Sequence, residues 1–176
     1  TGTNTISFVA SDAAVLIDKI KVTDNFNVYY VASNGDNANT GTYWKPWKTI
    51  EKANSAFETD GNGGFLNPGD RVLFRSGDTF KGELKVKRSG IEDNPIVISY
   101  YGPGELPVLS GSGSISGGDY LSAVNLVNAS YINMSYLWIK NDRQNDTRYG
   151  WNEKKGYGIY CQANKWGGIS SGLNFH

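Results

Sequence analysis

The sequence predicts an all-β fold, and three observations carry that reading. Gly supplies 22 of the 176 residues, close to twice its usual share, and Asn supplies 18; both tolerate the left-handed backbone angles of tight turns. Aromatic residues make up 13% of the chain and favour pleated, half-buried surfaces. The hydrophobic residues, 39% of the total, fall in short runs that end at Gly, Asn or Pro, the pattern of many short strands.

Taken in order, residues 3–10 (TNTISFVA) and 14–22 (AVLIDKIKV) alternate apolar and polar positions. Ile6, Phe8, Val15, Ile17, Ile20 and Val22 are the inward candidates, and the Ser11-Asp12 turn makes the two runs a hairpin. Two strands alone are marginal in water, so they must lean on another element. Residues 23–27 (TDNFN) form a polar linker and a domain boundary. Val28 to Ala32 is the next strand, followed by the turn-forming run SNGDNANTGTYWKPW. From Thr49 to Phe57 the spacing changes: Ile50, Ala53 and Phe57 fall on one face at helical intervals, Thr49 suits the N-cap, and Glu51, Lys52, Asn54 and Ser55 face water. Trp44 and Trp47, on either side of Lys45-Pro46, are expected to pack beneath this helix. A loop from Thr59 to Gly69, broken by four glycines and Pro68, comes next.

Beyond Asp70 nearly everything reads as short strands: RVLFR, ELKVK, PIVISYY, PVLSG, AVNLVN, YINMSYLWIKN, GIYCQAN and GISSGLNF. The later strands echo one another. Val124 can be laid on Ile159, Leu126 on Cys161 and Ile132 on Ile169, at an offset that drifts from 35 to 37 residues. Removing the polar insertion Asp142 to Lys155 leaves a repeat of about 22 residues, the scale on which solenoid coils stack.

Composition excludes several functions. Seventeen Lys+Arg balance seventeen Asp+Glu, so no global field draws the chain to nucleic acid or to an anionic membrane. One cysteine, Cys161, permits no internal disulfide, and one histidine, His176, permits no His-cluster metal site. The apolar runs are too short for a membrane span, and the start at Thr1 has no signal-peptide pattern, so the chain reads as a mature form or a fragment.

The segment YYVASNGDNANTGTYWKPWKTIEKANSAF (Tyr29 to Phe57) resembles the opening segment of right-handed parallel β-helix proteins of the pectate-lyase-like superfamily. There a strand, a Gly-Asp-Asn-rich loop, Gly-Thr and an aromatic near Pro lead into a short helix that lids the first coil. NPGDRVLFRSGDTFKGELKVKRSGIEDNPIVISYYGPGELPVLSGSG (Asn67 to Gly113) continues the likeness, which reaches His176. Residues 1–22 resemble, more weakly, the last strands of a carbohydrate-binding β-sandwich. The resemblance implies three parts: a sandwich tail or hairpin at 1–22, the linker at 23–27, and the N-terminal coils of a parallel β-helix at 28–176 with a capping helix near 49–57. Such a cap answers a physical need, because the end strand of a stack of parallel strands has unpaired backbone groups and an open apolar cross-section. Enzymes of this superfamily stack more coils, and their catalytic groups generally sit on the middle ones. The resemblance therefore implies a β-helix incomplete at its C-terminal end, further domains of the same polypeptide, and catalytic residues beyond this chain.

Several residue groups are candidates for chemistry. The insertion Asn141 to Gly158 mixes Arg143, Arg148, Lys154 and Lys155 with Tyr149, Trp151 and Tyr157, side chains that stack on sugar rings and hydrogen-bond their hydroxyls or carboxylates. Trp138, between Leu137 and Ile139, points outward on strict alternation and joins Arg143, Arg148, Tyr149, Trp151 and Lys154 as the expected substrate-binding set. Between Asp70 and Arg88 six basic residues (Arg71, Arg75, Lys81, Lys85, Lys87, Arg88) offer either a contact for an acidic polysaccharide or simply a solvated β-face. The loop Ser33 to Thr42 gathers Asp36 with Asn34, Asn37 and Asn39, oxygen donors of the kind a calcium ion takes; with a single carboxylate it reads better as a hydrogen-bonded capping loop. Asp70 and Asp78 sit in turns, where Asp usually closes its own backbone. Cys161 is expected in the core near Leu126.

The expectation is a secreted, extracellular or cell-surface protein whose partner is a polysaccharide or glycan, with no nucleic acid and no membrane span. The resemblance implies a polysaccharide lyase or a glycoside hydrolase. The alternatives are a non-catalytic β-helix adhesin or glycan-binding scaffold, and a short helix-lidded β-fold that merely shares the opening motif.

Overall fold

The computed structural model describes residues 26–59, 61–111, 121–141, 156–163 and 171–176. The predicted hairpin at 3–22 lies outside them. The described residues form eleven strands and one helix: β1 (Val28–Val31), α1 (Ile50–Phe57), β2 (Arg71–Arg75), β3 (Thr79–Lys81), β4 (Leu84–Val86), β5 (Ile96–Tyr101), β6 (Val108–Ser110), β7 (Ser122–Val127), β8 (Ile132–Met134), β9 (Trp138–Lys140), β10 (Tyr157–Gln162) and β11 (Leu173–Phe175).

All the strand pairs are parallel, in three sheets ordered β1-β2-β5-β8-β11, β3-β6-β9 and β4-β7-β10. From β2 onward the chain visits the three sheets in turn, each new strand pairing with the one three places earlier. The sheets do not close on themselves, and the arrangement is compatible with a parallel β-helix. Its register explains the alternation read in the sequence. Tyr29, Val72, Ile98 and Met134 align in one column, as do Phe80, Leu109 and Ile139, and Leu84, Val124 and Ile159. The inward members Val72, Ile98, Leu84, Val124 and Leu109 are fully buried.

The 35-residue echo holds where β10 pairs with β7, Ile159 beside Val124 and Cys161 beside Leu126. It fails one strand later, where the partner of Ile132 is Leu173 rather than Ile169. Cys161 is in register with Leu126 but exposed, because among the described residues β10 is the last strand of its sheet and no further strand covers it. The run YINMSYLWIKN is two strands in two sheets, turned apart at Ser135-Tyr136-Leu137, with Tyr136 at φ 56°. Thr79-Phe80-Lys81, absent from the runs read as strands, forms β3.

Helix α1 begins and ends as its chemistry requires. Thr49 Oγ1 accepts from Lys52 N at 3.3 Å, and Ile50, Ala53, Ala56 and Phe57 are buried. At the other end Ala56 O accepts from Phe65 N and Leu66 N. Lys87 Nζ lies 2.7 Å from Glu58 Oε1, and Arg88 donates to Glu58 O, so cations from beyond β4 supply what the last turn of the helix lacks.

Asn54 does not face water. Its Nδ2 donates to Glu83 O at 2.9 Å and its Oδ1 accepts from Lys85 N at 2.8 Å, so a helix side chain completes the free edge of β4 as a neighbouring strand would. Replacing Asn54 with Ala leaves both backbone groups to water and should cost about 1–2 kcal/mol. The check is the denaturant midpoint at unchanged m-value, with Ser55→Ala, whose hydroxyl bonds only within the helix, as the milder comparison.

Candidate functional site

The expected substrate-binding set is divided by the structure. Arg143, Arg148, Tyr149, Trp151 and Lys154 lie outside the described residues. Trp138 is described: it sits in β9 at the edge of its sheet, in register with Val108 and, beyond it, Thr79, and is 63% exposed. The inward residues of the same strands, Phe80, Leu109 and Ile139, hold this row in place from beneath. The two flanks of the insertion are tied together, since Asn141 Nδ2 donates to Tyr157 O at 3.1 Å and to Leu121 O at 3.3 Å. Tyr157, 38% exposed, stacks on Tyr160 with ring centroids 5.2 Å apart. The insertion therefore leaves and returns at a fixed base, directly after the strand that carries Trp138.

Asp70 and Asp78, expected to close turns, are engaged, and so is Glu83. Asp70 is buried; its Oδ1 accepts from Asn27 N at 2.7 Å and its Oδ2 from Asn67 N at 2.9 Å. Glu83 Oε1 accepts from Ser122 Oγ at 2.6 Å and Ser122 N at 3.2 Å. Asp78 takes two hydrogen bonds from Arg75 (Nε to Oδ2 at 2.9 Å, Nη2 to Oδ1 at 2.8 Å) and a third from Ser33 N at 2.8 Å. Each joins a turn to a neighbouring segment. They fasten the turns between strands, and none of these bonds sets two carboxyl groups together as the paired acid and base of a hydrolase.

The basic run between Asp70 and Arg88 is likewise no continuous stripe. Arg71 lies over the Phe26 ring at 4.5 Å, Arg75 pairs with Asp78, Lys87 with Glu58, and Lys85 stands 3.7 Å from Glu83. In the Ser33 to Thr42 loop, Asp36 Oδ1 accepts from Ala38 N, Asn34 Oδ1 from Arg75 Nη1, and Asn37 Oδ1 from Lys48 N and Thr49 N; Asn39 Nδ2 donates to Pro46 O. The donor set fits a capping loop and does not fit a calcium cage, which collects several carboxylates around one point. Among the described residues no three His, Cys, Asp or Glu side chains gather to hold a metal ion, and no helix is long and apolar enough to cross a membrane.

The sequence reading missed one feature. Trp47 is buried, as expected, but Trp44 is 88% exposed, and Tyr43 beside it is 51% exposed. The signal was present: Tyr43 and Trp44 are the two central residues between Thr42 and Lys45, which bridge each other, and the tip of so tight a turn points away from the core.

Neither a protein-family profile nor a curated protein sequence matches the chain. Among solved structures, the GH136 lacto-N-biosidase from Eubacterium ramulus is similar in its native and selenomethionine forms, at 24% identity over 85% of this chain with TM-scores of 0.59 and 0.60. A rhamnogalacturonan lyase superposes more loosely, at 14% identity over 85% of this chain and 53% of its own, with a TM-score of 0.40. The likeness to the lacto-N-biosidase concerns the fold, and this chain spans 27% of that enzyme's length.

The Arg75–Asp78 fastening makes a pH prediction. Burial pushes the Asp78 carboxyl up, but the hydrogen bonds from Arg75 and Ser33 outweigh it and hold the group below the usual carboxylate range. A folded value below the unfolded one, about 3.9, stabilises the fold above that pH, and the contribution disappears as pH falls through the folded value. Asp78→Asn should therefore be less stable than the parent by about 1–2 kcal/mol at pH 7, allowing for the partly exposed Arg75. That gap should close below about pH 4, as followed by urea unfolding across pH.

Proposed function

We propose that these coils are the N-terminal part of a right-handed parallel β-helix protein of the pectate-lyase-like kind that acts on glycans outside the cell. Its sense of winding is the one that crossover connections between parallel strands take. The observation that carries the reading is the repeated three-sheet circuit with Trp138 turned outward at the base of an Arg-, Tyr- and Trp-rich insertion. The fold likeness to a lacto-N-biosidase supports it by association, since one fold hosts many functions.

In this reading the described coils bind and position. The acids Asp70, Asp78 and Glu83 are committed to corners, so a hydrolytic or lyase centre would draw on other residues. At the far end β9, β10 and β11 are the last strands of their sheets among the described residues, and Leu173, Ile159 and Cys161 are only partly covered or exposed. That apolar end is where further coils would stack. The second reading, a glycan-binding scaffold without catalysis, is favoured by that same commitment of the acids.

Incubating the protein with lacto-N-tetraose, pectin, alginate and neutral plant glycans, while following reducing ends and the absorbance of unsaturated uronates, tests the reading. Release of oligosaccharide supports a glycan-active enzyme, and binding without release supports the scaffold. Neither binding nor cleavage of any member would sink both. Trp138→Ala should weaken binding by about tenfold.

A further inference from the structure

The Tyr43-Trp44 turn is built rigidly. Lys45 N donates to Thr42 O and Gly41 N to Lys45 O, both at 3.0 Å; the turn is then pinned to β1, with Tyr30 N donating to Gly41 O at 2.8 Å and Trp47 N to Tyr30 O at 2.9 Å. Gly41, at φ 81°, lies against the Trp47 indole so closely that a Cβ there would come within 2.5 Å of the ring. Trp47 Nε1 donates to Asn39 O at 3.1 Å, anchoring the base. With the loop fixed from below, Tyr43 and Trp44 are held outward.

Four aromatic rings converge on this face. Tyr43 and Trp44 meet nearly at a right angle, 86°, with centroids 4.9 Å apart. Tyr43 also contacts Tyr30 at 5.4 Å and Tyr101 at 5.8 Å, and Tyr30 contacts Tyr101 at 4.9 Å. Burial pushes the Tyr101 phenol up from its ordinary value, so it stays neutral at physiological pH. Arg75, in register with Tyr101, is engaged: Nε and Nη2 bond Asp78, and Nη1 bonds Asn34; Lys45 of the turn itself is exposed. An exposed rigid surface of this kind calls for an occupant. A whole aromatic side chain offers about 150–250 Å², so the exposed parts of these four total roughly 400 Å². That is about half of what each partner contributes to a stable protein interface, and enough for one or two sugar rings.

We propose that Trp44 and Tyr43, backed by Tyr30 and Tyr101, form a non-catalytic binding subsite for a neutral glycan, with a pyranose ring stacked on the exposed indole. The C–H groups on one face of a pyranose are slightly positive and meet the negative face of an aromatic ring. The phenol oxygens exchange hydrogen bonds with the equatorial hydroxyls. With Arg75 engaged by Asp78, the four rings supply the recognition, and a uronate carboxylate gains only what Lys45 of the turn offers. The inference takes its ligand class from the glycan-directed reading above, but not its location or its chemistry.

The test is titration of the protein with cellohexaose, xylohexaose, mannohexaose and lacto-N-tetraose, with hexagalacturonate as the anionic arm, read by calorimetry and tryptophan emission. A neutral oligosaccharide should bind and shift the emission to the blue. Trp44→Ala should weaken that binding by about tenfold or more and Trp44→Phe by less. Because Trp44 is 88% exposed, the thermal midpoint of Trp44→Ala should match the parent. Equal affinity of the parent and Trp44→Ala for every sugar overturns the subsite, as does binding confined to hexagalacturonate. So does concentration-dependent dimerisation that Trp44→Ala abolishes in the absence of any sugar effect. Cleavage that continues unchanged in Trp44→Ala, with unchanged affinity, sinks the subsite and leaves the glycan-active reading standing. Trp44-dependent binding without cleavage supports the subsite while removing the enzyme.

Discussion

The fold rests on one constraint: every parallel strand needs a neighbour on both sides, and each such neighbour must present an apolar residue to the same interior. The register meets that constraint column by column. Val72 sits beside Ile98 and Ile98 beside Met134, while Leu84 sits beside Val124 and Val124 beside Ile159. These pairs join residues 26 to 40 positions apart in sequence, so the interior can be buried only once several circuits are in place. Small three-residue strands such as β3, β6 and β9 could not persist alone; stacking makes them possible.

The first circuit cannot satisfy the constraint from one side, and the sequence between β1 and β2 answers it. Helix α1 lays Ile50, Ala53, Ala56 and Phe57 over the interior. Asn54 supplies the donor and acceptor that β4 would otherwise lack. Lys87 and Arg88 return the favour by neutralising the helix C-terminal end at Glu58. Cap and coil are thus mutually dependent, which is why a short helix of low intrinsic stability can hold its place. At the opposite end no such answer is visible among the described residues, and the exposed Cys161 beside buried Leu126 shows how quickly burial falls off there.

What the sequence made legible follows from the same physics. The helix was readable because its spacing and its Thr49 cap are local signals. Most of the strands were readable because an alternating run of five or six residues reports its own inward face. The corners were not. Tyr136 adopts positive φ without being glycine, so no punctuation separates β8 from β9, and the two read as one strand. β3 has a single inward residue, Phe80, too few for any period to appear. Asn54 was taken as solvent-facing because a polar helix residue gives no hint that an open strand edge lies beside it. Of the candidate site, the outward position of Trp138 followed from alternation. Trp44 was misplaced because its nearness to Trp47 and Pro46 suggested common packing, whereas the turn closure at Thr42 and Lys45 separates the two indoles.

The corners also determine what kind of recognition this part of the molecule can offer. A circuit of short strands has many turns, and a turn leaves backbone N–H groups that carboxylates satisfy well. Asp70, Asp78 and Glu83 are consumed in that way, and Arg75, Lys87 and Arg88 are consumed in balancing acids and helix carbonyls. Charge that fastens a corner cannot also be presented to a ligand without loosening the corner. Aromatic side chains escape this conflict, because an exposed indole or phenol gives up no structural bond when something stacks upon it. The corner charges are thus committed inside the structure, while the exposed rings of Tyr43, Trp44 and Trp138 are not.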